Sequence, residues 1–437
     1  MHINMVKKGQ LLLLLSFGAL ILIGMLLLLL PGILHHGRLS LADALFMSCS
    51  AVCLNGLATV PLTQFTFGGQ LILLVLVQCG SIGIMSLSAA VMLMLGRNLS
   101  FSDTLMLNNL NDRFTLRGTE NLTRMVLNYT LICEAAGALL MFPAFLIAGK
   151  GFFTSLWYSL FFSVGSFCNS GLSPIPGSMA NLDRFVQSVS MIEMFLGGLG
   201  VYVIYDLHQR LRERHHRVRL HTRLVLSMAI LLVITGTLLL WLLSRTDSET
   251  AMLKWFDALF LSVACRTTGY STVDPGMLSP ACQILLIVLM MIGGAPGSTA
   301  GGIKTTTVAV AFAALSSSFK GENNVIIGKR SVAMTCVLRA FTIIVMFVLL
   351  CAAGALGLNS FAPDVDSLKC FFEATSALST TGLSTGTTTM DWEMPCKLFI
   401  TLFMFAGRVG PLTILLFFAG REKQNKLRFP EEQIIVG

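Results

Sequence analysis

DALFMSCSAVCLNGLA (residues 43–58), SLFFSVGSFCNSGLS (159–173), DALFLSVACRTTGYS (257–271) and FFEATSALSTTGLST (371–385) share one pattern. In each, an aromatic-rich stretch of about 12 residues runs into a polar patch and a single glycine. The glycines, Gly56, Gly171, Gly269 and Gly382, lie 115, 98 and 113 residues apart, the mark of an internal repeat. Every copy sits between two long apolar runs: 9–34 and 68–96, 123–149 and 186–207, 223–243 and 281–315, 332–357 and 396–419. The unit therefore reads as helix, short helix, loop, helix.

A bilayer core of ~30 Å needs ~20 helical residues, so the short helices cannot cross it. Their polar, glycine-containing ends would leave bare backbone in lipid, which requires them to be re-entrant and shielded by protein. Each unit then begins and ends on the same side. The reading is an all-α integral membrane protein of four parallel helix–pore-helix–helix repeats around a central pseudo-fourfold pore. It has eight transmembrane helices and both termini on one face. The repeats span 1–122, 123–222 with a basic loop, 223–330, and 331–437 with a tail.

Composition agrees. The 437 residues are 54% hydrophobic and 12% charged, with mean hydropathy +0.78, which leaves no room for a separate soluble catalytic domain. The run 11–30 is longer than a signal peptide's ~7–15 residue core and reads as a spanning helix. Most of the 11 cysteines lie in apolar segments, where thiols pack as small hydrophobes, and Cys49 and Cys53 read the same way.

In a soluble protein the net charge of +8 would suggest nucleic acid, but its distribution follows the membrane instead. Of the 30 Lys and Arg, 19 fall on the side proposed as cytoplasmic and 7 on the other. Arg266, Lys304, Arg339 and Arg408 stay within the apolar part. Eleven acids make the outer face net −4, which gathers cations.

Four such units can close around an axis, as separate subunits do in potassium channels, with the glycines meeting there. A dehydrating filter needs inward carbonyls in dihedrals that glycine tolerates, and rings of carbonyls replace the water shell of K⁺. The candidate filter is Leu54, Asn55, Gly56 and Leu57; Asn169, Ser170, Gly171 and Leu172; Thr267, Thr268, Gly269 and Tyr270; and Thr380, Thr381, Gly382 and Leu383. One glycine per loop predicts a short filter, and helix C-termini would aim negative ends at the cation.

In CRTTGYSTVD (265–274), GGAPGSTAGGIKT (293–305) and GRVGPLT (407–413) the chain resembles the Trk/Ktr/HKT superfamily of potassium transporters, closest to the Ktr-type membrane subunit. The resemblance covers essentially the whole chain. Sodium-carrying plant-like members have serine at the first filter glycine, so Gly56 implies K⁺ selectivity. CLNGL departs from the threonine or valine usual before that glycine, which makes Asn55 a feature of its own.

Glycine and proline in the middle of the third inner helix imply a break that lines a cavity. The resemblance implies that this segment, with Gly293, Gly294, Gly297, Ser298, Thr299, Gly301 and Gly302, is an intramembrane gate below the filter. A phosphate-binding loop is the rival, but Ile303 stands where that motif needs glycine and no strand precedes it. Arg408 is a charge in an apolar helix and so a functional candidate, against a structural ion pair. The resemblance favours a place beneath the filter, with Lys304 sharing the role. Arg266 is expected to brace the filter loops, and Glu134 and Glu193 to be buried partners for the remaining charges.

The loop 207–223 holds six arginines and four histidines, which reads as lipid contact or as a docking surface. The resemblance implies a homodimer and a cytosolic nucleotide-binding ring. The chain has no G-x-G-x-x-G, so ATP, ADP or NAD would bind that partner; potassium would be the ion carried, with a sodium-permeable or sodium-coupled cation transporter as the alternative. Same-side repeats argue against an alternating-access carrier, and the scattered histidines against a membrane enzyme. The bacterial inner membrane, with cytoplasmic termini, is the expected location.

Overall fold

The computed structural model describes residues 2–95, 116–212, 218–245, 251–322, 324–328 and 330–410. The basic residues Arg97, Arg113, Arg214 and Arg217, the run beyond 410 and the tail with Arg421 to Arg428 lie outside them. The described helices are α1 (His2–Leu28), α2 (Leu41–Cys53), α3 (Phe67–Leu95), α4 (Leu116–Ile147), α5 (Phe152–Cys168), α6 (Arg184–Gly198) and α7 (Val201–Arg212). They continue with α8 (Leu220–Leu243), α9 (Trp255–Ala264), α10 (Pro280–Met291), α11 (Thr305–Phe319), α12 (Met334–Phe361), α13 (Ser367–Leu378) and α14 (Met394–Val409). A two-residue hairpin, β1 (Ile326–Ile327) with β2 (Arg330–Ser331), joins α11 to α12.

Among the described residues, Arg124–Ile147, Leu220–Leu243 and Met334–Phe361 are long and apolar enough to cross a membrane. Their outward side chains, such as Leu139 at 73% and Leu349 at 63% exposure, would be unfavourable in water and suit hydrocarbon.

The short helices α2, α5, α9 and α13 are the most buried part of the molecule. Each buries a phenylalanine almost fully nine or ten residues before its glycine, Phe46, Phe161, Phe260 and Phe372, and α5 buries Phe162 and Phe167 as well. α5 extends over 17 residues, longer than the sequence pattern suggests, because 152–158 continue helically before the shared motif begins. The run 186–207 is not one helix either. It divides into α6 and α7, bent by 97°. Gly200 makes the corner at φ +81°, where a side chain would meet the Pro296 carbonyl.

Packing follows one rule in three of the four units. α2 lies between α1 and α3, α5 between α4 and α6, and α13 between α12 and α14. Across units, α3 packs on α5, α6 on α9, α10 on α13, and α14 returns to α2. The second long helix of each unit thus supports the short helix of the next, and the chain closes on itself.

Ion pairs hold two of these junctions at matching positions. The first aspartate of each DALF sequence meets a base from the preceding unit: Asp43 with Lys397 at 2.7 Å, and Asp257 with Arg184 at 2.7 Å. Both side chains of the Asp43 pair are only 7% exposed. Lys397→Met leaves that carboxylate buried without its cation, and we expect a loss of ~3–5 kcal/mol. A detergent melting curve checks this, and a double variant with Asp43→Asn should recover much of it.

Candidate functional site

The four short helices end three to five residues before their glycines, and their exits share one backbone solution. The residue two before each glycine has positive φ: Leu54 (54°), Asn169 (57°), Thr267 (84°) and Thr380 (52°). The glycines follow at 94°, 69°, 79° and 86°. In every unit the residue between them bonds back to the helix: Asn55 N to Ser50 O, Ser170 N to Gly165 O, Thr268 N to Ala264 O and Thr381 N to Ser376 O, each 2.9 Å. This is the closing bond of a left-handed helix cap, which leaves the next carbonyls free. Ser50 Oγ and Ser376 Oγ also accept from the Gly56 and Gly382 amides at 3.1 and 3.0 Å.

These exits form a closed ring. A side chain at Gly56 would meet the Ser170 carbonyl oxygen, one at Gly171 that of Thr268, one at Gly269 that of Thr381, and one at Gly382 that of Asn55. Four carbonyl oxygens therefore stand in cyclic order, each beside the glycine of the preceding loop. Positive φ and the close approach both require glycine there. Side chains add cross-links: Thr268 Oγ1 donates to Asn169 Oδ1, and Tyr270 Oη donates to Leu172 O at 2.9 Å. Leu57, Leu172 and Leu383 are buried behind the ring.

Asn55 belongs to this lacing. Its Nδ2 donates to Ala377 O at 3.0 Å and Ser376 O at 3.3 Å, so it ties the first loop to the end of α13. Neither threonine nor valine could span that gap with an amide donor. Asn55→Val should remove the tie and lower melting stability by ~1–3 kcal/mol, with a reduced K⁺ over Na⁺ flux ratio in the same preparation.

Below the ring, α10 stops at Met291 and residues 292–304 loop out before α11. The neck closes by Gly293 N to Ile303 O and Ile303 N to Met291 O, both 2.9 Å. The loop then docks on the α6–α7 corner, through Ala295 N to Gly198 O (3.0 Å) and Val201 N to Gly297 O (3.1 Å). Its far side touches the loop after α13, since a side chain at Gly301 would strike Thr380. Gly294 packs on Ala300 and Ser298, and Gly302 turns at φ +64° against Gly293.

Thr299 is the centre of this loop. Asn169 Nδ2 donates to its Oγ1 at 2.7 Å, and its carbonyl accepts from Arg408 Nη1 at 2.6 Å. Arg408 Nη2 also donates to Gly80 O at 3.2 Å. Among the described residues no carboxylate lies within ion-pair distance of Arg408, so it is held by carbonyls rather than by an acid. Lys304 points back into the loop, donating to Ala300 O at 2.6 Å.

Two expectations about charges need correction. Arg266 does not brace the filter loops; its Nη1 donates to Ala229 O of α8 at 2.8 Å, because the side chain leaves the ring on its outer side. Glu134 and Glu193 do not pair with Arg266, Lys304 or Arg408; they bond with Gln78, Ser163 and Cys168. Cys49 and Cys53 pack side by side, with sulfurs 3.7 Å apart.

A second set of glycines stands outside the four repeated loops. A side chain at Gly80 would strike Val52 O, one at Gly197 Phe167 O, and one at Gly407 Leu378 O. All three carbonyls lie four residues before the filter glycine, and the three glycines follow it by 24, 26 and 25 residues. In the third unit the same offset falls on Gly293 and Gly294, where the helix breaks. That spacing was readable in the sequence.

Comparison with known proteins agrees with this geometry. Residues 6–428 match the TrkH family, described as cation transport protein. Ktr system potassium uptake protein B of Vibrio alginolyticus is 33% identical over 433 residues, covering 97% of this chain and 94% of that protein. Potassium/sodium uptake protein NtpJ of Enterococcus hirae is 32% identical over 440 residues, covering 97% and 96%. The crystal structure of the potassium transporter TrkH from Vibrio parahaemolyticus superposes with a TM-score of 0.74 at 19% identity, over 94% of this chain and 85% of that one, and so shares the fold. The repeated loops, the broken third inner helix and a family match across nearly the whole sequence lead to one conclusion: this chain belongs to the TrkH family of cation transport proteins.

Proposed function

We propose that the chain is a potassium-selective, channel-like uptake subunit of the cell membrane. Residues 1–122, 123–222, 223–330 and 331–437 are its four parallel repeats around a pseudo-fourfold pore, with eight crossings and cytoplasmic termini. The observation that carries this reading is the closed ring of four carbonyls, each beside a glycine of positive φ. Such carbonyls substitute for the hydration shell of K⁺, and the four helix C-termini add negative potential at the same point. The relatives named for potassium uptake support the choice of ion.

The loop 292–304 is the gate, and Arg408 is its electrostatic lock. A guanidinium beneath the ring opposes a cation, and it is held there by the loop's own carbonyl. The chain works as a homodimer in the bacterial inner membrane. It docks a cytosolic ring that binds ATP, ADP or NAD, using the basic segment 207–223, beside which Asp206 accepts from the Arg219 amide at 2.9 Å. A second reading, sodium permeation or coupling, is favoured by the name of the Enterococcus hirae relative.

Complementation tests the proposal. A bacterium lacking its own K⁺ uptake should grow at low K⁺ when it expresses this chain with a Ktr-type cytosolic partner. No rescue, with the protein correctly inserted, would argue against potassium uptake; rescue only in high Na⁺ would select the second reading.

A further inference from the structure

Behind the second filter loop lie two glutamates, Glu134 of α4 at 4% exposure and Glu193 of α6 at 3%. Among the described residues no lysine, arginine or histidine lies within ion-pair distance of either. Ser163 of α5 stands between them. Its Oγ is 2.6 Å from the Glu134 main-chain oxygen and 2.5 Å from Glu193 Oε1.

A hydroxyl carries one proton, and a main-chain carbonyl has none to give. If Glu193 were ionised, the single Ser163 hydrogen could lie on only one of these two short contacts, leaving the other as an oxygen–oxygen approach with no proton between. Both contacts are satisfied only when Glu193 brings a proton of its own: Glu193 donates to Ser163 Oγ, and Ser163 donates to Glu134 O. A second observation agrees. Glu193 Oε2 is fully buried with no hydrogen-bond partner, an arrangement far costlier for a carboxylate oxygen than for the carbonyl oxygen of an acid. The space is kept for this group, since a side chain at Gly137 would strike Glu193 Oε1 and Ser163 Oγ. Glu134 differs, because Gln78 Nε2 donates to its Oε2 at 2.9 Å and Cys168 Sγ lies 3.4 Å from its Oε1.

We propose that Glu193 is a proton-binding site within the membrane, and that its proton positions the second filter loop. The mechanical link is short. Glu193 sits one turn before Gly197, whose carbonyl accepts from Thr299 Oγ1 at 3.1 Å, and Ser163 sits on α5, whose end carries Asn169. The groups around Glu193 offer no substitute cation. Cys133 and Glu134 face it from α4, Cys168 lies on α5, and Tyr270 approaches from the loop after α9. Asp257 of α9 is held by Arg184 at the far end of α6. Arg266 lies over the Phe195 ring and donates to Ala229 O. Loss of the proton would leave Ser163 with one hydrogen for two short contacts and a buried charge on Glu193 with Oε2 unpartnered, a strain that falls between α4, α5 and α6.

The test is infrared difference spectroscopy of the purified full chain in lipid, in H₂O and D₂O. The wild type should show a protonated-carboxyl C=O band that shifts in D₂O and is missing from Glu193→Gln, whose amide can still donate to Ser163. Ser163→Ala should keep the band and shift it, because the acid loses its acceptor. An unchanged band in both variants, with normal melting, would overturn the proposal. K⁺ flux is the second readout, and it alone rests on the potassium-pore reading. Wild-type flux should fall reversibly at alkaline pH, by up to about tenfold per unit beyond the midpoint, while Glu193→Gln stays flat. A variant that follows the wild-type profile would also contradict the proposal. Because the infrared band does not depend on transport, failure of the potassium-pore reading would leave that result standing.

Discussion

Gly56→Ser is expected to lower the K⁺ over Na⁺ flux ratio by about tenfold or more, with the protein still folded. At φ +94° a side chain carries ~1–2 kcal/mol of strain, and its Cβ would lie 2.6 Å from the Ser170 carbonyl and 3.1 Å from Gly171 Cα. Relief requires the first and second loops to separate. Asn55, Ser170, Thr268 and Thr381 hold their carbonyls at one spacing only because the ring is closed, so opening one joint loosens all four. A looser ring discriminates less between cations of different size. The same substitution at Gly171, Gly269 or Gly382 should act alike, since each meets a carbonyl of the neighbouring loop. Cation competition in vesicles is the measurement. An unchanged ratio for Gly56→Ser would remove that position from the filter, and an effect at only one of the four would refute the fourfold arrangement.

The second large effect is expected from shortening the loop 292–304 that we propose as the gate. Deleting 295–300 removes Thr299 with both of its anchors, the Asn169 amide and the Arg408 guanidinium. A bond from a charged donor contributes ~1.5–3 kcal/mol and a neutral one ~1 kcal/mol, so the closed position is favoured by about 3 kcal/mol. Resting flux should then rise on the order of a hundredfold and lose its dependence on any cytosolic partner. Thr299→Val is the milder version, keeping the carbonyl for Arg408 while losing the Asn169 bond. Arg408→Ala should raise flux in protein that stays folded, with a melting loss below that of Lys397→Met, because it leaves behind two carbonyls and not a buried acid. Loss of K⁺ flux in folded deletion protein would mean that the loop belongs to the conducting path.

The repeat was legible because four glycines recur with the same neighbours, and backbone demands of that kind leave a local mark. The break in the third inner helix was legible for the same reason, as glycine and proline cannot continue it. What escaped was set by distant contacts. Gly198 and Gly200 did not betray the corner between α6 and α7, because its stability comes from the gate loop some 95 residues later, through Ala295 and Gly297. Arg266 could have reached any of several carbonyls, and only the path of α8 selects Ala229. Glu134 and Glu193 invited pairing with arginine, yet the short helix α5 supplies Ser163 and Cys168 instead. Asn55, a departure from the family's usual residue, gains its meaning only when α13 arrives beside it.

In the function we propose, the ring of four carbonyls passes K⁺ in preference to Na⁺. The most direct test is isotope or fluorescence flux through liposomes holding only the purified gate-shortened chain, with K⁺, Rb⁺ and Na⁺ presented in turn at equal gradients. We predict rapid K⁺ and Rb⁺ flux with Na⁺ clearly slower, and loss of that difference in Gly56→Ser. Equal K⁺ and Na⁺ flux through the intact ring, or no flux of either ion in folded protein, would contradict it.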